Sequence, residues 1–351
     1  MTSITTSPTV SVIIPAYNQA QYLPDALDSL LAQTYTNWEA VIVDDGSPDN
    51  VAEIAARYTG GNPRIKFLHT ENHGLSAARN TGAAHSDGEY LVFLDGDDKI
   101  APEYIEDCVK ALQSDSRIKV AAPQMQCFGI HQQIWPVVYE NYAQLLINNP
   151  LYATAAMRRA DFDAIGGYDE RMRKGFEDWE FWIRLLAGKG PDAVWTGPDI
   201  LFFYRQKQQS MIVDSMRGAT LADNRAYIFN KHHEKYDTEF GDIVRPDLLA
   251  AADYPMVAPL LRRGDESTPL KEIVYQAKRI SRSPQLSTDA KMHLLSLYSG
   301  LCMSRKPCKT DNLNAKQLLR FYLLKKNPEA FDRLNNICLL YTSPSPRDRS
   351  V

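Results

Sequence analysis

Four short runs of β-branched and aliphatic residues mark the front of the chain: Val10–Ile14, Ala40–Val43, Ile65–Leu68 and Tyr90–Leu94. Each is stopped by proline, aspartate or polar residues. Stretches with helical spacing lie between them, at Gln21–Gln33, Asn50–Tyr58 and Leu75–Ala84, and Pro102–Gln113 follows the fourth. Strands can pair in parallel only when a long crossover, usually a helix, joins them. The alternation therefore predicts βαβ units and a mixed, mainly parallel α/β sheet with helices on both faces. Pro102 suits the first turn of its helix, where a missing N–H costs nothing. Such sheets bind ligands beyond the C-terminal ends of their strands, which directs attention to the residues after each run.

From about residue 120 the pattern changes. Aromatics, a turn at Gly166-Gly167 and one clear helix at Asp178–Ala187 fill the stretch to 214. Beyond it the chain reads as helices, Gly218–Lys231, Asp247–Arg263, Leu270–Arg282, Thr288–Met303 and Ala315–Lys326, punctuated by prolines. The expected organisation is an α/β domain over 1–214, a helical C-terminal domain over 215–339 and a tail over 340–351. Ser343-Pro344-Ser345-Pro346-Arg347 in that tail has no turn or core logic and resembles translated vector read-through, hence a non-native segment.

Composition narrows the class. With 44% hydrophobic and 23% charged residues, the 351-residue chain can bury a sizeable core and is neither disordered nor a small disulfide scaffold. No run of roughly 18 apolar residues offers a membrane span. Met1–Pro8 has neither the basic nor the apolar region of a secretory signal, which predicts a cytoplasmic chain, free in solution or at the inner face of the membrane. Cys108, Cys127, Cys302, Cys308 and Cys338 form no C-x-x-C pair and are expected to be free thiols. The front is acidic and the rear basic: residues 215–351 carry 22 Lys and Arg against 15 Asp and Glu. A basic rear permits peripheral contact with an anionic membrane or an anionic acceptor, or is simply a solvated helical surface. No nucleic-acid motif accompanies it, so nucleic acid is not an expected partner.

The first run ends in Pro15-Ala16-Tyr17-Asn18, the second in Asp44-Asp45-Gly46-Ser47 and the fourth in Asp95-Gly96-Asp97-Asp98. On a parallel sheet these share one rim. Five acidic residues gathered there repel one another unless a cation or hydrogen-bond donors offset them. Carboxylates are hard ligands, and one or two of them with phosphate oxygens commonly hold Mg²⁺ or Mn²⁺. Asp95 and Asp97, two apart in an extended segment, would lean to one side and reach one ion. The alternative is turn and cap chemistry, which Asp-Gly sequences also serve.

These motifs, with Gly74-Leu75-Ser76-Ala77-Ala78-Arg79-Asn80, Gly166-Gly167-Tyr168-Asp169-Glu170 and Glu177-Asp178-Trp179-Glu180, together resemble family 2 glycosyltransferases of the GT-A fold, over about residues 8–213. The resemblance implies a nucleotide-diphospho-sugar donor, UDP-linked by preference, on the strand-end rim. Pro15, Ala16, Tyr17 and Asn18 would wall the nucleotide, Asp44 and Asp45 would bond the base or ribose, and Arg79 would lie near the nucleotide. Asp95, Gly96 and Asp97 match the Asp-x-Asp motif, whose carboxylates would hold Mn²⁺ or Mg²⁺, with Asp98 as an alternative ligand. Asp178 matches the catalytic base, with Glu177 as its rival, and implies a single displacement with inversion at the sugar's C1. Arg205, in Tyr204-Arg205 ahead of Ser210, would steady the diphosphate. Trp179 would face the acceptor, Phe181 and Trp182 would be core, and Glu180 with Arg184 would make a surface ion pair.

The acceptor implied is a saccharide or lipid-linked glycan of a surface polysaccharide or cell-envelope polymer. The Gln-x-x-Arg-Trp motif and membrane spans of processive synthases are missing, so one sugar per encounter is expected. Rivals are a catalytically silent nucleotide-sugar-binding scaffold and a dinucleotide oxidoreductase. The latter lacks its G-x-G-x-x-G after the first strand. No histidine is expected to be functional, and His73 alone is expected near the rim.

Overall fold

A computed structural model describes residues 9–208, 218–240 and 270–284, with positions 257, 260, 286–288, 290–291, 293–295 and 297–298. The chain divides into two compact units, Met1–Ile228 and Phe229–Val351.

In the first unit, β1 (Val10–Ala16), α1 (Leu23–Leu31), β2 (Trp38–Asp45), α2 (Val51–Thr59), β3 (Ile65–Thr70), α3 (Leu75–Ala84) and β4 (Tyr90–Phe93) follow one another as the periodicity predicts. Then come β5 (Lys99–Ile100), α4 (Tyr104–Ser114), β6 (Val120–Ala121), β7 (Gln124–Gly129), β8 (Gln133–Trp135) and α5 (Tyr142–Ile147). The unit continues through β9 (Ala156–Arg158), α6 (Arg159–Ala164), α7 (Glu177–Leu185), β10 (Val194–Trp195) and β11 (Ile200–Gln206). Pro102 lies outside α4, which begins after Glu103; its carbonyl instead accepts from Thr34 N at 2.9 Å.

Seven strands form the main sheet in the order β10-β6-β9-β4-β1-β2-β3. β1 pairs in parallel with β2 and β4, and β2 with β3. Only β9 runs antiparallel, between β4 and β6. β1 and all but one residue of β2 are buried, which is why both read as near-continuous apolar runs. α3 packs on both through Gly82: a Cβ there would lie 2.2 Å from Ile13 Cγ2 and 3.1 Å from Val43 Cγ2. A second sheet, β5-β11-β7-β8, has β11 antiparallel to β5 and parallel to β7.

Register decides what meets at the rim. Ala16 stands opposite Asp44, Asp44 opposite His69 and Asp45 opposite Thr70. Leu94 N donates to Ile13 O at 2.9 Å, which aligns the Asp95 turn with the end of β1.

Two further helices are described, α8 (Gly218–Phe240), kinked at His232, and α9 (Leu270–Arg282). α8 thus runs beyond the expected Lys231, and its start is tied within the first unit by Asn224, which donates to Lys174 O at 2.9 Å. In α9, Ile273, Ala277 and Ile280 are buried while Tyr275 is exposed. Of the helix expected at Asp247–Arg263 only Val257 and Leu260 are described, both helical, and the described positions from Thr288 to Tyr298 are helical too. The expectations for Ala315–Lys326, the 340–351 tail, Ser210, Cys302, Cys308 and Cys338 lie outside the described residues. Cys108 and Cys127 are buried free thiols. Among the described residues no helix is long and apolar enough to cross a membrane.

Candidate functional site

The rim begins where β1 ends. Pro15 and Ala16 are buried, whereas Tyr17 and Asn18 are exposed. Asn18 adopts a left-handed backbone (φ 54°), a conformation asparagine tolerates better than most residues. Its N–H donates to Ser47 Oγ at 2.7 Å, so the β1 and β2 turns are stitched together.

Asp44 and Asp45 are both buried, and their oxygens are engaged locally. Asp44 Oδ1 accepts from Ser47 N at 2.8 Å, and its Oδ2 lies 2.8 Å from His69 Nδ1. Asp45 takes the backbone N–H groups of His73 and Gly74, each at 2.8 Å. His69, at the end of β3, thus joins His73 at the rim, a placement the sequence reading missed.

Asp95-Gly96-Asp97-Asp98 is a tight turn, closed by Asp98 N donating to Asp95 O at 3.0 Å, and not the extended segment expected. Asp-Gly turn chemistry wins as soon as β4 stops pairing. Gly96 lets the turn approach β1: a Cβ there would lie 3.2 Å from Pro15 O. The acidic side chains then take separate partners. Asp95 accepts from Arg79 at 2.8 and 3.2 Å. Asp97 Oδ2 meets Lys207 Nζ at 2.5 Å. Asp98 is buried and accepts Arg205 N at 2.7 Å. Burial pushes the Asp98 carboxyl up, with Asp97 and Asp95 adding repulsion.

Arg79 departs from the expected nucleotide contact. Its guanidinium is 1% exposed and bridges Asp95 to Glu177 Oε1, 2.8 Å away on α7. It lies over the Tyr168 ring at 5.1 Å. Partly buried Asp95 and buried Glu177 hold its proton despite the cost of desolvation. Arg79 joins the Asp95 turn to the start of α7. Glu177, committed to that bridge, leaves Asp178 as the more available acid.

Gly175 and Phe176 precede α7, and Phe176 is left-handed (φ 64°), an uncommon conformation for so large a residue. Strain of this kind persists where the surroundings enforce it; here Phe176 packs on Trp179 at 5.8 Å between ring centres. Asp178 is partly buried in the first turn of α7. It accepts Trp179 N at 2.7 Å and Asn149 Nδ2 at 3.1 Å. Burial first, and Glu177 second, push its carboxyl up to about 7, against the pull of Arg79. A carboxylate balanced near neutrality is suited to accept a proton.

Other expectations on α7 are corrected. Trp179 is buried, its indole N–H on Leu145 O at 2.5 Å, so it belongs to the core with Phe181 and Trp182. The Glu180–Arg184 pair is internal: Glu180 is 0% exposed, and Arg184 also donates to Ile165 O and Gly167 O.

Arg205, on β11, binds the turn itself. Besides its N–H on Asp98, its Nε donates to Asp97 O at 2.7 Å and its Nη2 to Asp25. With Asn18, Tyr22, Ile130, Lys207 and Gln208 it lines a cavity of about 630 Å³. Lys207 and Asn149 were not foreseen. Lys207 lies two residues past Arg205 near the strand end, where period-two spacing could have pointed to it. Asn149, in the loop after α5, carried no such signal.

Among the described residues no three His, Cys, Asp or Glu side chains cluster to hold a metal ion unaided. Hard carboxylates such as Asp95 and Asp97 suit a divalent cation whose other ligands are phosphate oxygens and water; in this structure they are paired with Arg79 and Lys207.

Residues 11–166 match the family described as Glycosyl transferase family 2. Glycosyltransferase GlyA of Streptococcus pneumoniae is 45% identical over 103 residues, 29% of this chain and 15% of GlyA. The chain spans only 11% to 37% of the length of the curated relatives compared. The fold is also that of S. aureus TarS 1–349 in complex with UDP-GlcNAc, with TM-score 0.56 and 19% identity over 92% of both chains. Mannosyltransferase PcManGT from Pyrobaculum calidifontis, in complex with GDP-Man and Mn²⁺, gives TM-score 0.52 and 18% identity over 86% of this chain and 89% of that one.

Proposed function

We propose, from a chain whose residues 11–166 are a family 2 glycosyl transferase domain, that the protein transfers one sugar from a nucleotide-diphospho-sugar to a hydroxyl acceptor with inversion. The observation that carries this is Asp178, pushed up to about 7 and steered by Asn149, tied through Glu177 and Arg79 to the Asp95 turn.

The residues take distinct parts. Pro15, Ala16, Tyr17 and Asn18 wall the nucleotide, and Asp44, with His69 beside it, faces the base or ribose. Asp95 and Asp97 would hold Mn²⁺ or Mg²⁺, which when bound would offset charge on the departing nucleoside diphosphate. Asp178 accepts the proton of the acceptor hydroxyl as that oxygen attacks the sugar's C1. The C1–O bond to the diphosphate breaks on the opposite side, which inverts the centre. Asn149 keeps the Asp178 carboxylate oriented, and Arg205 holds the Asp97–Asp98 turn in shape.

A UDP-sugar is the favoured donor, supported by the fold shared with a protein crystallised with UDP-GlcNAc. PcManGT, solved with GDP-Man and Mn²⁺, supports divalent metal use while keeping a GDP-sugar as the second donor to test. The acceptor is a saccharide or lipid-linked glycan of the cell envelope, and the chain works in the cytoplasm or at the inner membrane face.

The test uses UDP-sugars with Mn²⁺ and simple saccharide acceptors, comparing wild type with Asp178→Asn. The variant should bind donor normally and transfer at least about a hundredfold more slowly, as loss of a general base implies. Transfer at the wild-type rate would remove Asp178 from the role.

A further inference from the structure

Lys207 places its ammonium on the acid that the proposed reaction reserves for a metal. Its Nζ is 2.5 Å from Asp97 Oδ2 and 3.3 Å from Gln19 Oε1, and it faces the Tyr22 ring at 5.0 Å. Both partners are largely enclosed, with side-chain exposures of 18% for Lys207 and 15% for Asp97. Solvent therefore screens the pair less than it would a surface salt bridge. Across the turn, Asp95 is matched by Arg79 in the same way. Each carboxylate of the Asp-x-Asp turn thus has its own resident cation.

The two cations differ in freedom. Arg79 is fixed by Glu177 from behind and by complete burial. Lys207 lies near the end of β11, lines the cavity beside the turn, and has one ion-pair partner among the described residues. A lysine is also a flexible point charge, able to move between anions where a guanidinium fork is not.

We infer that Lys207 is an exchangeable counter-ion of Asp97, making occupation of the site by a divalent cation conditional on a diphosphate arriving with it. Without nucleotide, a divalent ion must displace the ammonium from Asp97, and among the described residues no other carboxylate is paired with it. With a nucleoside diphosphate present, Lys207 leaves Asp97 for a phosphate oxygen, and Asp97 is freed for the metal. The metal and the nucleotide then bind as one event. The diphosphate half of this inference rests on the proposed glycosyl-transfer function, whereas the Lys207–Asp97 half does not.

The experiment titrates Mn²⁺ alone into the full chain, followed by electron paramagnetic resonance of the free ion, and then repeats the titration with UDP. Wild type should hold Mn²⁺ weakly without UDP. Lys207→Gln should bind Mn²⁺ alone roughly tenfold more tightly, since a neighbouring positive charge is gone, and should bind UDP with Mn²⁺ less well. Lys207→Arg, which keeps the charge, should behave as wild type towards Mn²⁺ alone. The gain in Lys207→Gln should vanish in the double variant with Asp97→Ala. Equal Mn²⁺ affinity in wild type and Lys207→Gln overturns the inference, as does a gain that survives Asp97→Ala. Unfolding temperature at each variant separates these results from misfolding. Failure of UDP to bind wild type under any metal condition would count against the donor assignment, while the Mn²⁺-alone titration still reads the counter-ion.

Discussion

Arg79, buried in α3, donates to Glu177 Oε1 at 2.8 Å from the same guanidinium that grips Asp95. The residue beside the proposed base is therefore held by the same group as the turn proposed to hold the metal. Removing that group leaves one largely buried and one partly buried carboxylate without a partner. Arg79→Ala should destabilise the first unit by about 3 kcal/mol or more, the range for breaking a buried ion pair. Urea unfolding of the variant checks it. A loss under about 1 kcal/mol would mean that the bridge is not sustained in solution.

The protonation of Asp178 fixes how activity depends on pH. A base must be ionised to accept a proton, and this carboxyl is pushed up to about 7. kcat/KM at saturating metal should therefore rise with pH through about 7 and level off above it. Asn149→Ala, which removes a donor to the ionised form, should move that rise to higher pH. An initial-rate profile flat from pH 5.5 to 8.5 would place the base elsewhere.

Stability should show the opposite slope. The Asp178 carboxyl titrates near 4 when unfolded and near 7 when folded, so folding favours its protonated form. That contribution is complete below the unfolded value and is lost as pH rises through the folded one. Asp178→Asn, which cannot ionise, should melt a few degrees above wild type at pH 8 and close to it at pH 4. Equal melting temperatures at both pH values would contradict the buried-carboxylate account.

Gly82 tests the packing that sets the rim. A methyl group there would overlap Ile13 in β1, so α3 would have to move away from the sheet. Gly82→Ala should cost about 1–3 kcal/mol, as overpacking does, and should weaken nucleotide binding because Arg79 moves with its helix. Thermal melts and nucleotide titration on one preparation check both.

Strand and helix order were legible through β4 because β1 and β2 are buried apolar runs and the crossovers keep helical spacing. The acidic strand ends were legible for the same reason, since a parallel sheet must bring them to one rim. Partnerships were not legible. Arg79 spoke for a nucleotide contact because a guanidinium suits phosphate and base edges alike, yet its mate Glu177 lies 98 residues away. Long-range pairing of this kind leaves no local pattern. Asn149 in its loop was hidden likewise, and Trp179 looked available only because its buried contact with Leu145 is also remote in sequence.

The most direct measurement is thermal unfolding of the protein with UDP, GDP, dTDP and CMP, each with and without Mn²⁺, in wild type and Asp97→Ala. A ligand at about 100 times its Kd adds about 2.7 kcal/mol to stability, a shift that is easily seen. The account predicts stabilisation by UDP that needs Mn²⁺ and that disappears in Asp97→Ala. No shift with any nucleotide, or a shift by UDP indifferent to both Mn²⁺ and Asp97, would contradict it.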